Sequence, residues 1–129
     1  MYYSMKNNVL VIEDEPVIGE MMCILLEMEG YKVICSNDIS FAKGKLETKD
    51  IALVMLDLKL GQESGEAMCR YIKQHPDLQH IPVVLVSANA DLQGIKERCQ
   101  ADDYLAKPFD MKDFVEKVNY WAKDYRLTA

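Results

Sequence analysis

The sequence predicts an α/β fold: a doubly wound, five-stranded parallel sheet in the order 2-1-3-4-5, with helices on both faces. Three observations predict it. Short apolar runs recur at Val9–Ile12, Lys32–Ser36, Ile51–Leu56, Val83–Val86 and about Asp103–Ala106. Most are continuously apolar rather than alternating, as in strands covered on both faces. Each is followed by a stretch of helical character, and strict β–α alternation implies a parallel sheet.

In chain order, residues 1–8 form a polar lead-in and Val9–Ile12 the first strand, which runs into the acidic stretch Glu13-Asp14-Glu15. Pro16 suits the first turn of a helix. Val17, Met21, Ile24, Leu25 and Met28 then recur at helical spacing to about Glu29, and Gly30 fits the stop. After the second strand, a weaker helix spans about Ile39 to Thr48, with Gly44 inside it. The third strand delivers Asp57, and a polar loop, 58–65, follows. Ser64 can cap a helix through Met68, Cys69 and Ile72 that ends before Pro76. Past the fourth strand and Ser87-Ala88, Asp91 can cap a helix to about Gln100. The fifth strand ends at Lys107-Pro108. Asp110 caps the last helix, where Asp113 favours the positive end and Phe114, Val118, Trp121 and Tyr125 line one face. There is no internal linker, repeat or low-complexity tract, so the 129 residues read as a single domain.

Composition narrows the function. A chain of this length buries about two-thirds of its unfolded surface, and 50% hydrophobic with 28% charged residues is ordinary for a soluble domain. A net charge of −6 argues against direct nucleic-acid binding, which needs clustered Lys and Arg. No apolar run is long enough to span a bilayer and no signal peptide is present, which points to the cytoplasm. Cys23, Cys35, Cys69 and Cys99 are spread singly, without Cys-x-x-Cys spacing or matching His pairs. They are expected as buried reduced thiols, not zinc ligands or a disulfide. The eight methionines fall among core-like residues and read as packing atoms.

The chemistry collects on one edge. In a parallel sheet all strand C-termini share a rim, and here that rim carries Glu13-Asp14, Asp57, Ser87-Ala88 and Lys107-Pro108. Open α/β sheets bind ligands there, at the switch point between strands one and three in this order. Neighbouring strands lie about 4.8 Å apart, so Asp14 and Asp57 should nearly touch, and a lysine can reach them from Lys107. Crowded carboxylates need a proton or a cation, and a site of two acids with open positions suits Mg²⁺. Asp57 could then attack phosphorus, with Lys107 and the metal holding phosphoryl charge, Ser87 donating a hydrogen bond and Ala88 leaving room for the donor.

Each feature alone has a plainer explanation. Glu13-Asp14-Glu15 alone is a solvated helix N-terminus and Asp57 a turn residue. Ser87 alone is a loop hydroxyl, Lys107-Pro108 a rigid turn and Tyr104 a half-buried strand aromatic. Their joint placement at the ends of four strands favours the chemical reading.

The motifs Val11-Ile12-Glu13-Asp14-Glu15-Pro16, Met55-Leu56-Asp57-Leu58-x-Leu60 with Gly65 eight residues after the aspartate, Val86-Ser87-Ala88 and Ala101–Phe109 (Ala-Asp-Asp-Tyr-Leu-Ala-Lys-Pro-Phe) can now be taken together. The chain resembles, over about residues 7–125, the receiver domain of two-component response regulators, a flavodoxin-like fold of the chemotaxis-regulator type. That resemblance implies that Asp57 accepts phosphate from a histidine of a sensor kinase or phosphotransfer protein. It implies Mg²⁺ bound by Asp14, Asp57 and the backbone carbonyl of Lys59, with Glu13 acting through water. Ser87 and Tyr104 become a switch pair that reshapes roughly residues 91–124, and the Lys107-Pro108 bond is expected cis. The chain would act as no enzyme beyond its own phosphorylation and dephosphorylation. Output would pass to an effector protein or a missing output domain, with a phosphorylation-dependent homodimer as one route.

Two positions depart from the family pattern, and two more fall where the family varies. Gly61 stands where proline is usual, which implies a more mobile 58–65 loop. Gln100 replaces the glycine usual before Ala-Asp-Asp, which implies a different turn into the last strand. Lys59 and Asn89 fall at variable positions that tune phosphate lifetime. Competing readings are a metal-dependent phosphohydrolase with an aspartyl nucleophile and a scaffold receiver that takes no phosphate. The hydrolase would need an acid–base aspartate where Lys59 stands. A flavodoxin-type cofactor site would need a Ser/Thr/Gly-rich first loop, and a dinucleotide site a Gly-x-Gly-x-x-Gly.

Overall fold

The computed structural model describes residues 7–122; Tyr125, placed on the last helix from its spacing, lies outside them. The elements are β1 (Asn8–Ile12), α1 (Pro16–Met28), β2 (Lys32–Ser36), α2 (Ile39–Thr48), β3 (Ile51–Asp57), β4 (Lys59–Leu60), β5 (Glu63–Ser64), α3 (Gly65–Gln74), β6 (Val83–Ser87), α4 (Leu92–Cys99), β7 (Asp103–Ala106) and α5 (Met111–Trp121). The main sheet is parallel in the order β2-β1-β3-β6-β7, the predicted order when only its own five strands are counted.

The strands split the core by period two. Leu10, Ile12, Val54, Leu56, Val83 and Leu85 face one side, with Ala42, Met68, Ile72 and Ile95 of α2, α3 and α4. Val9, Val11, Leu53, Met55, Val84 and Val86 face the other, with Met22 and Leu26 of α1 and Phe114 and Val118 of α5. Both faces are therefore apolar, which is why these strands read as unbroken hydrophobic runs.

Local signals explain most helix ends. Pro16 occupies the first turn of α1. Ser64 Oγ accepts from Ala67 N–H at 3.2 Å, and Asp110 Oδ1 from Lys112 N–H at 2.9 Å. Asp38, not singled out from sequence, caps α2 through Ser40 N–H. Asp91 stands at the N-cap of α4, but its carboxylate makes no cap hydrogen bond. It turns to Arg98 at 3.3 Å, while its own N–H is taken by Asn89 Oδ1.

Three further expectations change. The 58–65 stretch is a small antiparallel hairpin, with Lys59 opposite Ser64 and Leu60 opposite Glu63. Gly61 has φ +62° at its turn, a conformation closed to proline. Gln100, at φ +64°, adopts the left-handed conformation that glycine favours; Ala101 N–H reaches Lys96 O at 3.0 Å and closes α4 in the usual way. The turn is thus the ordinary one, made by a residue that pays a steric penalty for it. Cys23 and Cys35, expected as buried reduced thiols, are joined as a disulfide between α1 and β2, and Cys35 is exposed. Packing of α1 on the edge strand brings these two together, a tertiary contact that spacing does not report. Cys69 and Cys99 are buried free thiols.

At the amino edge of the sheet, Lys73 Nζ lies 2.6 Å from Asp102 Oδ2 and donates to Ile81 O at 2.8 Å. Asp102 Oδ2 also accepts from Val83 N–H at 2.8 Å. No helix among the described residues is long and apolar enough to cross a membrane.

Replacing Gln100 with glycine relieves the left-handed strain. Gln100→Gly should raise unfolding free energy by about 1 kcal/mol, read as a higher urea midpoint at unchanged slope.

Candidate functional site

The carboxyl edge of the sheet opens into a pocket of about 510 Å³ lined by Asp14, Glu15, Asp57, Leu58, Lys59, Ser87, Ala88, Asn89 and Lys107. Backbone register puts them there. β3 carries Asp57 beside Val86 of β6, β1 ends at Ile12 opposite Leu56, and Ser87 pairs with Ala106 of β7. Lys107 N–H then donates to Ser87 O at 2.9 Å, and the Lys107–Pro108 peptide is cis.

The electrostatics centre on Lys107. Its ammonium lies 3.0 Å from Glu13 Oε1, 3.7 Å from Asp57 Oδ2 and 3.8 Å from Glu15 Oε1. Burial works against its charge, but Glu13, Asp57 and Glu15 outweigh burial and hold its pKa above the ordinary lysine value. Glu13 is only 5% exposed. Burial, and then the neighbouring Asp57, push its pKa up to about 7 against the pull of Lys107 and the Glu15 N–H. Glu13 Oε2 takes hydrogen bonds from Lys107 Nζ and Glu15 N–H, both at 3.1 Å. Glu13 Oε1, although close to the ammonium, has no hydrogen bond, the only such buried side-chain atom among the described residues.

One cation is therefore set against more negative charge than it neutralises. Asp14 and Asp57 carboxylates and the Lys59 carbonyl are hard oxygen donors on or beside this pocket. Among the described residues no three His, Cys, Asp or Glu side chains form a ready metal cage. An ion held by two carboxylates and filled out by water and phosphate oxygens needs none, and the donor set fits Mg²⁺ on those terms.

Asp57 Oδ1 accepts from Lys59 N–H at 3.2 Å, and Ser87 Oγ from Asn89 N–H at 3.0 Å. Sequence reasoning brought Glu13, Asp14, Asp57, Lys59, Ser87, Ala88 and Lys107 to this edge, and they meet there. Tyr104 does not line the pocket; it is half-buried and packs on the α2–α3–α4 side of the core. Two details carried no prior role. Glu15 contributes to the field at Lys107, as its place in the acidic run could have suggested. Gly65 is pressed against β3: a Cβ there would collide with the Asp57 carbonyl oxygen and lie 2.6 Å from Leu58 Cα.

The family model described as the response regulator receiver domain matches residues 9–119. The chain belongs to this family. This receiver is 32% identical over 118 residues to the phosphate regulon transcriptional regulatory protein PhoB of Escherichia coli, covering 88% of this chain and 51% of that protein. It is 32% identical over 117 residues to the DNA-binding response regulator MtrA of Mycolicibacterium smegmatis, covering 89% and 50%. The chain thus spans about half the length of the curated relatives it matches. Among solved structures, it resembles the receiver domain of a sensor histidine kinase from Pseudomonas aeruginosa, at 28% identity and TM-score 0.79, with 92% of this chain and 98% of that one covered. That structure holds a magnesium ion coordinated in its active-site cleft. A signal receiver domain of a histidine kinase from Syntrophus aciditrophicus matches at 27% identity and TM-score 0.81, covering 89% of each chain.

The raised pKa of Glu13 gives a pH dependence. The folded state holds this proton more tightly than the unfolded chain, so stability is fully present below about pH 4.5 and falls as pH rises towards 7. With divalent cations chelated, urea unfolding should show a loss of about 3 kcal/mol across that window. Glu13→Gln should flatten it.

Proposed function

We propose that this receiver is a phosphorylation-controlled signalling switch in which Asp57 accepts a phosphoryl group from a phosphohistidine of a sensor histidine kinase or phosphotransfer protein. The observation that carries the reading is the setting of Asp57. It is a buried carboxylate at a strand end, opening into a pocket that also holds a lysine ammonium 3.7 Å away and a serine hydroxyl.

An Asp57 oxygen forms the new bond to phosphorus, and the phosphorus–nitrogen bond to the donor imidazole breaks with its electron pair staying on nitrogen. Lys107 then faces the phosphoryl oxygens and holds their charge in a partly dry site. Ser87 exchanges its contact with Asn89 N–H for a hydrogen bond to the phosphoryl group. Tyr104 turns inward behind it, and the change reaches α4, β7 and α5. Asp14, Asp57 and the Lys59 carbonyl would hold Mg²⁺, with Glu13 acting through water. When bound, that ion neutralises the carboxylates and polarises the phosphoryl oxygens. The magnesium in the related Pseudomonas receiver supports this assignment.

The chemistry is confined to the chain's own phosphorylation and dephosphorylation. The reshaped surface passes the signal to an effector protein or an output domain, directly or through a homodimer, in the cytoplasm.

Incubation with acetyl phosphate and Mg²⁺ should add the mass of one phosphoryl group, and Asp57→Asn should abolish the gain. No gain, or one that survives Asp57→Asn, would sink the proposal. Steady phosphate release from many monoesters would favour a phosphohydrolase. Lys107→Ala should still bind Mg²⁺ but lose the phosphorylation-dependent change in hydrogen exchange over residues 91–122; a normal change would remove Lys107 from its role.

A further inference from the structure

Beside the phosphate pocket, with which it shares Asp14, a second groove of about 550 Å³ runs between α1 and the edge strand β2. Cys23 and Cys35, linked as a disulfide, lie in it with Cα atoms 6.7 Å apart, inside the span that a disulfide bridges without backbone movement. The two sulfurs differ in access: Cys35 is exposed on the edge strand, whereas Cys23 is 8% exposed and packs with the α1–α5 core. The other close pair, Cys69 and Cys99, is sealed at 0% and 1% exposure, with Cys69 Sγ donating to Cys99 O at 3.4 Å. The groove is also charged. Glu13, Asp14, Glu20 and Glu27 line it, and among the described residues no lysine or arginine does.

We infer that Cys23 and Cys35 form a thiol–disulfide exchange site for cationic low-molecular-weight disulfides, and that closing the bond fastens α1 to β2. Exposure fixes the order of events. The Cys35 thiolate attacks the reagent disulfide, forming a mixed disulfide and releasing one thiolate. The Cys23 thiolate then attacks the Cys35 sulfur, forming the internal bond and releasing the second. The balance is protein dithiol plus reagent disulfide giving protein disulfide plus two reagent thiols, and a reducing thiol runs it backwards. A bond of this kind in a reducing compartment is transient and regulatory, not a structural staple. Its mechanical consequence is local. Val11 of β1 pairs with Cys35, and Glu13 N–H donates to Ser36 O at 3.0 Å. The bond therefore ties α1 to the strand that already braces the turn between β1 and α1. The acidic lining concentrates cationic reagents and repels anionic ones.

The test uses the full chain, reduced and then treated with cystamine or with oxidised glutathione, which is net negative. Under cystamine, non-reducing peptide mapping should show Cys23 linked to Cys35 with the loss of two hydrogens. Cys69 and Cys99 should become alkylatable only after unfolding. Amides of residues 17–28 should exchange several-fold more slowly in the oxidised form. At low salt cystamine should react several-fold faster than oxidised glutathione. Cys23→Ser should stop at a cysteamine adduct on Cys35, and Cys35→Ser should not react, each with circular dichroism unchanged. A stable mixed disulfide on the unaltered chain, reaction of Cys35→Ser at the unaltered rate, or unchanged exchange in α1 would overturn the site. Equal rates for the two reagents at low salt would overturn its preference for cations.

Discussion

The ammonium of Lys107 holds the working edge of this molecule together. It leaves the end of β7, crosses β6 and β3, and ends against Glu13 and Asp57, so one side chain bridges the last strand to the first and third. Among the described residues, no other lysine or arginine forms an ion pair with Glu13, Glu15 or Asp57. The contact is strong because it is partly desolvated, and incomplete because one cation faces several acids. The orphaned Glu13 Oε1 and the raised Glu13 pKa are two expressions of that shortfall. An edge so balanced stays electrostatically unsatisfied until a proton or a further cation joins it.

Close packing keeps Asp57 in place. Asp57 ends a strand whose preceding four residues are fully buried, and Gly65 presses against its carbonyl from behind. The β4–β5 hairpin between them turns the chain back within a few residues, and Gly61 makes that turn possible. The carboxylate is thus fixed by backbone contacts that side-chain chemistry on the rim leaves untouched. Ser87 and Tyr104 are held more loosely: the hydroxyl has one backbone partner, and the ring is half-buried.

Strand order, strand identity and the gathering of Glu13, Asp14, Asp57, Ser87 and Lys107 were legible because they follow from period and topology. Continuous apolar runs state that both faces are covered, and a parallel sheet does the gathering. Features decided by packing were not legible. Asp91 has the residue type of a cap, yet Arg98 competes for its carboxylate. Gln100 carries no mark of a left-handed turn, because the usual signal is the glycine it replaces. The meeting of Cys23 with Cys35 depends on how α1 lies on β2, and the hairpin in 58–65 is too short to announce itself. The closeness of Glu13 to Lys107 was not legible either, because it depends on how deeply Glu13 is buried.

The Lys73–Asp102 tie at the amino edge gives the two ends of the sheet different characters. Lys73 is spent on Asp102 and a strand-leading carbonyl, and Asp102 also takes the first amide of β6, so α3, β6 and the lead into β7 are riveted at one end. The opposite rim is left with unmatched charge. Rigidity and reactivity therefore occupy opposite poles of the same sheet. The architecture separates the end that fixes the sheet's alignment from the end that gathers its charge.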